Sequence, residues 1–365
     1  MLVRQDLSYF FMGKKVIRIK DIAEKAQVST GTVDRVIHNR GRVAEDVKER
    51  VNSIIKQLNY EPNLMARVLS SRKTFNIAAL IPDHKIDAYW SAPKSGIKKA
   101  ESEFRAYGTK IEYYTFNPYK VESFVKKADE LTKEKPDAII LSPIFYKETL
   151  PFFEKWKSQN IPFVLFNTEI HEYDPLSYIG QDSYQSGLIA AKLIHYGNPD
   201  PSTFLVAHID EGTANAAHLE KKEQGFRDYF EQNSLSDYQI IRAELNTAQL
   251  SSFLNAFDTI LRENPELKGI YVTTSKAHEI ANLLQQKHIR TLKIVGYDLV
   301  SKNIKLLNNG MISFLINQHP KGQGYWSVSH LVDHLIFKKE VPMLKYLPLD
   351  IVTKENLNYY LDSDE

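Results

Sequence analysis

Ten short apolar segments, separated by longer stretches of mixed polarity, run from Phe75 to Gln318 and constrain the fold more than anything else in the chain. NIAALIP (76–82), KIEYYTF (110–116), DAIILSP (137–143), FVLFN (163–167) and SYIGQD (177–182) have the length and the β-branched or aromatic content of strands. TFLVAHI (203–209), QIIRAEL (239–245), GIYVTT (269–274), KIVGYD (293–298) and ISFLINQ (312–318) continue the series. Between them, residues 121–134, 184–196, 219–232, 248–263 and 276–287 read as amphipathic helices. Strands alternating with helices form parallel sheets covered on both faces, and two sets of five predict two doubly wound lobes. Open sheets of this kind bind ligands beyond the carboxyl ends of their strands, so a cleft between the lobes is the expected site.

The opening part of the chain obeys a different rule. In IKDIAEKAQVSTGTVDRVIHN (19–39), Ile22, Ala23 and Ala26 give a short helix one narrow apolar face, and Gln27-Val28 forms the break. Ser29 is placed to cap a second helix, on which Val33, Val36 and Ile37 share a stripe while Thr30, Gly31, Asp34 and Arg35 fall elsewhere. VAEDVKERVNSIIKQLNY repeats apolar residues at 47, 51, 54, 55 and 58, which predicts a third helix. Two short helices across a tight turn, backed by a third, make a helix-turn-helix unit. Its second helix enters the major groove, where Arg35 offers a fork to guanine and Thr30 a hydroxyl and a methyl. Gly31 admits close backbone approach at a helix position it disfavours by about 1 kcal/mol against Ala. Charge agrees with a polyanion partner for this segment alone. Residues 14–75 hold 14 Lys/Arg against 7 Asp/Glu, a net +7 within a chain total of +2, which leaves −5 for residues 76–365.

Composition narrows the alternatives. At 365 residues the chain is too long for one typical core. It contains no cysteine, which excludes disulfides, thiolate metal sites and cysteine nucleophiles. The amino terminus, MLVRQDLSYFFMGKKV, has a five-residue apolar patch with its basic cluster after it, the reverse of a secretory signal, so a cytoplasmic location is expected. Residues 1–13 are expected to form a disordered extension, with Met12 an alternative start. No apolar run approaches the roughly 18 residues of a membrane span. No nucleophile elbow, phosphate-binding loop or HExxH pattern occurs, and the two glycines of KGQGYW lack a third, so neither an enzyme nor a cofactor is expected. His208, Asp210 and His218 fit no common metal spacing and read as scattered surface residues.

The head, from DIA through the VS turn and TV.RV to the NY.PN tail, resembles that of the lactose-repressor/galactose-repressor family of bacterial transcription regulators. A weaker likeness extends over nearly all the rest. The resemblance implies an all-α helix-turn-helix head joined to an α/β periplasmic-binding-protein-like body of two doubly wound lobes. It divides the chain into a DNA-binding domain (14–61), a hinge helix and linker (62–74), and a ligand-binding and dimerisation domain (75–365). Lobe 1 would take about 75–179 and 318–345, lobe 2 about 180–317 and 346–360, with crossings near 179–181, 316–318 and 345. In the head it implies base reading by Thr30, Gly31 and Arg35, with Ser29 and Asn39 also at the DNA. Asp34 departs from the family's usual Ser, and Ala44 stands where a capping Ser is common. In PNLMARVLSS (62–71) it implies a hinge helix that folds on DNA, Leu69 wedging into the minor groove and Ala66 allowing close helix contact.

In the body the resemblance implies a cleft for a small polar effector, a sugar or sugar derivative. Tyr89 and Trp90 match an aromatic pair that stacks on sugar faces, although packing or surface roles remain open for these two and for Gln318. Asn167 and Thr168 close the fourth strand where Asp-Arg is frequent. Lys222 replaces an Arg, and Thr274-Ser275 replaces Asn-Asp. Asp298 and Gln318 match a carboxylate and an amide that bind hydroxyls. Two-fold symmetry of a homodimer then demands a near-palindromic double-stranded operator. The competing reading is a solute-binding or sensor protein with a non-functional DNA head.

Overall fold

A computed structural model describes residues 17–37, 39–58, 60, 73–170, 172–210 and 217–361. The chain divides into two compact units that part near residue 67. Among the described residues, no helix is long and apolar enough to cross a membrane.

Three helices make the first unit: α1 (Ile19–Ala26), α2 (Thr30–Ile37) and α3 (Glu45–Gln57). Asp21 Oδ2 accepts the Arg18 N–H at 2.7 Å and starts α1. Gln27 ends it in the left-handed region (φ 53°), which turns the Val28 N–H onto Ala23 O at 3.0 Å. Ser29 Oγ then accepts the Thr32 N–H at 3.1 Å, one of the free donors at the start of α2. Ala44 gives α3 no side-chain cap, and Glu45 and Asp46 in its first turn supply the negative charge that the helix dipole favours there. Ile22, Ala23, Ala26, Val33, Val36, Val51 and Ile54 close over one another as the core, with Val28 packed against it in the angle between α1 and α2.

The second unit holds two six-stranded sheets. The first runs β11-β5-β4-β3-β1-β2 and is parallel throughout. Its strands are β1 (Phe75–Pro82), β2 (Thr109–Phe116), β3 (Ala138–Leu141), β4 (Phe163–Phe166), β5 (Ser177–Gly180) and β11 (Leu344–Tyr346). The second runs β12-β10-β9-β8-β6-β7, with only β12 antiparallel to its neighbour. It comprises β6 (Thr203–Ile209), β7 (Gln239–Leu245), β8 (Leu267–Val272), β9 (Lys293–Tyr297), β10 (Phe314–Asn317) and β12 (Asp350–Val352). Helices α4 (Ser91–Phe104), α5 (Val121–Glu134), α6 (Tyr146–Ser158) and α12 (Pro320–Leu335) belong with the first sheet. Helices α7 (Ser183–Tyr196), α8 (Ala217–Gln232), α9 (Leu250–Glu263), α10 (Ala277–Gln286) and α11 (Ser301–Asn308) belong with the second, and a short α13 (Asn358–Leu361) ends the described chain. Apolar clusters on both faces of each sheet explain why central strands such as AIIL (β3) and FVLF (β4) are buried at every residue.

The chain passes between the sheets three times: from β5 into α7 at Gln181-Asp182, from β10 into α12 at Gln318-His319, and from β11 to β12 through residues 347–349. The first two crossings lead straight into helices held against a neighbouring helix of their own lobe by glycine contacts. A Cβ on Gly96 would lie 1.8 Å from Lys321 O, and one on Gly225 would lie 2.1 Å from Tyr184 O. The backbones of α4 and α12, and of α7 and α8, therefore touch at distances no side chain permits.

Candidate functional site

On α2 the turn and the cap fix which face meets solvent. Val33 and Val36 are locked into the head core, so Thr30, Gly31 and Arg35 are exposed, along with Ser29 and Asn39. Asn39 takes a left-handed conformation (φ 49°), and Arg40 N donates to Arg35 O at 2.9 Å, which curls the chain after α2. Among the described residues nothing but Ser29 Oγ, at 3.7 Å, lies near the Cβ position of Gly31, so this stretch of helix presents bare backbone. Asp34 is half-buried beside Tyr60, whose hydroxyl pKa is raised by burial first and by the Asp34 charge second. The hinge positions Ala66 and Leu69 lie outside the described residues.

In the body, the ends of the parallel strands gather polar side chains. Tyr89 follows β1, and its hydroxyl donates to Asn167 Oδ1 at 3.0 Å. Asn167 closes β4 in a left-handed conformation (φ 67°). Trp90 is turned into the lobe-1 core, edge-on to Tyr89 (centroids 4.9 Å apart) and to Phe166 (6.2 Å). Thr168 is buried and meets His218 of the other lobe, Oγ1 to Nδ1, at 3.4 Å. Lys222, on α8, is 3% exposed; its ammonium donates to Thr273 O at 2.9 Å and lies 3.7 Å from the Tyr297 ring centroid. Thr274, one residue on, is also buried.

Asp298 and Gln318 meet directly: Gln318 Nε2 donates to Asp298 Oδ2 at 2.7 Å, and Asp298 adopts φ 65° at the tip of β9. Burial holds the Asp298 carboxyl above its ordinary range, with the Lys222 charge and the Gln318 bonds pulling the other way. Among the described residues its Oδ1 is buried without a hydrogen-bond partner, as are both amide atoms of Gln181 at the first crossing and Ser142 Oγ after β3. Buried polar atoms in this condition are costly, and a ligand bearing hydroxyls can satisfy donors and acceptors alike.

The body matches the family described as periplasmic binding protein domain over residues 77–339, and the head matches bacterial regulatory proteins, lacI family, over 18–63. A putative LacI transcriptional regulator from Bacteroides fragilis is 31% identical, with a TM-score of 0.73 over 79% of this chain and 100% of its own. The chain belongs to the LacI family. The ribose operon repressor of Halalkalibacterium halodurans is 25% identical over 343 residues, covering 92% of this chain and 96% of the repressor. A glucose-galactose binding protein from Geobacillus stearothermophilus shares the body's fold, at 23% identity and a TM-score of 0.70 over 78% of this chain and 99% of its own.

As a LacI-family member, the chain carries a DNA-binding head and a periplasmic-binding-protein-like body, and several of its side chains stand where sequence reasoning did not put them. His208, Asp210 and His218 are not scattered surface residues; each is turned inward and separately engaged. His208 is fully buried between Glu223 (Nε2 to Oε2, 2.7 Å) and Thr273 (Nδ1 to Oγ1, 2.9 Å). Glu223 also takes the Arg227 guanidinium at 2.8 Å. Asp210 pairs with Lys276, and His218 meets Thr168. The available signal was position: Asp210 directly follows β6, and Asp87 and Lys276 lie in the loops that follow β1 and β8, on the side where a cleft is expected.

Proposed function

We propose that this LacI-family protein binds a near-palindromic DNA operator as a homodimer and that a small polar effector, a sugar or sugar derivative, controls the affinity. The observation that carries the DNA half is the exposed face of α2. Its core-facing valines leave Thr30, Gly31 and Arg35 as the residues available to base edges. Ser29 and Asn39 flank that face, and Leu69 and Ala66 complete the reading as a minor-groove wedge and its close packing partner. Lys and Arg contacts to phosphates supply most of the affinity.

The effector half is supported by the pairs Asp298–Gln318 and Tyr89–Asn167, with Thr168, Lys222 and Thr274 beside them and Trp90 buttressing Tyr89 from behind. A relative named as a ribose operon repressor points to the same ligand class. Coupling between the sites can be no larger than the effector's differential affinity for the two states of the body.

The deciding experiment compares Arg35→Ala with the parent protein on operator and scrambled duplexes at one salt concentration. The expected loss is about 1–3 kcal/mol on the operator alone, relaxing discrimination at one base pair. An unchanged ratio of the two affinities removes the base-reading role.

A further inference from the structure

The three crossings between the sheets attach at β5, β10 and the β11–β12 connection, all on one side of both sheets. Strands β2 and β7 form the opposite edges, so the lobes open farthest there. Tyr119 follows β2 and is half-exposed. Lys276 of the other lobe reaches it: Nζ donates to the Tyr119 hydroxyl at 2.9 Å and lies 4.7 Å from the ring centroid. The same ammonium pairs with Asp210, which also accepts the Thr247 N–H at 2.6 Å. On the lobe-1 side the Tyr119 hydroxyl donates to Asp87 Oδ2 at 3.3 Å, and Asp87 Oδ1 accepts the Tyr89 N–H at 3.1 Å.

Hydrogen bonds thus run without a break from Thr247 to Tyr89, from the far edge of one sheet to the aromatic pair of the other. The side chains of Lys276 and Asp210 are only 16% and 9% exposed, which sets this pair apart from screened surface ion pairs. Burial raises the Asp210 carboxyl, but bonds from Lys276 and Thr247 outweigh it and hold the pKa below the usual range. Glu169, anchored within its lobe by Tyr346 at 2.7 Å, meets Lys221 of the other lobe at 3.3 Å nearer the crossings, where it has less leverage against opening.

We propose that Tyr119 and Lys276 form a clasp that holds the two lobes together at the edge farthest from the crossings, so that its release governs access to the buried cleft. The inference depends neither on which effector binds nor on the DNA reading.

Hydrogen exchange of the full-length protein, with no ligand added, tests it. Tyr119→Phe deletes the hydroxyl and keeps the ring; Lys276→Met deletes the cation but leaves Asp210 without that partner, so the tyrosine variant is the cleaner of the two. In Tyr119→Phe, peptides covering 113–120 and 272–280 are expected to exchange about tenfold faster, while peptides covering 19–58 keep the parent rate. The double variant is expected to exchange at 113–120 more slowly than the two single effects multiplied together, because both changes remove the shared Lys276–Tyr119 bond. Parent-like exchange in Tyr119→Phe overturns the clasp. So does acceleration spread evenly over the body, or strict additivity in the double variant.

Discussion

Glu223 shows what one carboxylate contributes behind the cleft. Burial alone would raise its pKa, but hydrogen bonds from His208 and Arg227, followed by their charges, hold it at about 2. A carboxyl depressed in the folded state stabilises the protein fully above its unfolded value, near 4.5, and loses that contribution as pH falls toward about 2. Urea titrations should therefore show Glu223→Gln losing about 1–3 kcal/mol at pH 7, with the gap to the parent narrowing as pH drops below 4.5. A gap that stays constant down to pH 3 would dismiss the linkage. The same residue shows where sequence reading stops. The exposure of Thr30, Gly31 and Arg35 was legible because helical period and a capping serine assign a face to every position of α2. His208 was not, because its partners lie 15 and 65 residues away and only the packing of α8 on the sheet brings them together. Trp90 was ambiguous for a related reason: an aromatic ring serves a core as well as a sugar, and its neighbour Phe166 comes from another strand.

Among the elements, the strands were easiest to read and the crossing helices hardest. Central strands of a parallel sheet are apolar on both faces, which marks them as short uninterrupted runs. Helix α12 gives no such signal. Its buried residues include Gln323, Ser327, Ser329 and His330 as well as Val328 and Leu331, so polarity does not report which side faces inward. Edge strands β11 and β12 have three residues each, too few to show a period. What holds α12 in place is backbone contact at Gly96. Gly96→Ala should cost about 1–3 kcal/mol in chemical denaturation, because the new methyl meets main chain that has no rotamer with which to yield. Stability within error of the parent would mean that α4 and α12 separate freely.

For the molecule as a whole, the effector reading is a statement of linkage. A ligand that binds the folded body at a hundred times its Kd stabilises it by about 2.7 kcal/mol. Some member of a panel of neutral monosaccharides, sugar acids and sugar phosphates should accordingly raise the melting temperature of the full chain. A panel that leaves melting unmoved discards the carbohydrate effector and spares the DNA reading, which rests on the other unit. The glycine contacts at the two crossing helices reach beyond stability. Each lobe is stiffened behind its sheet, whereas most of the side chains proposed to meet a ligand hang on the strand tips in front. On the proposed reading, recognition and transmission fall to different atoms. If that reading holds, new effector preferences can be introduced at the strand tips, by evolution or by an engineer building a biosensor, while the helix pairs behind the sheets stay as they are.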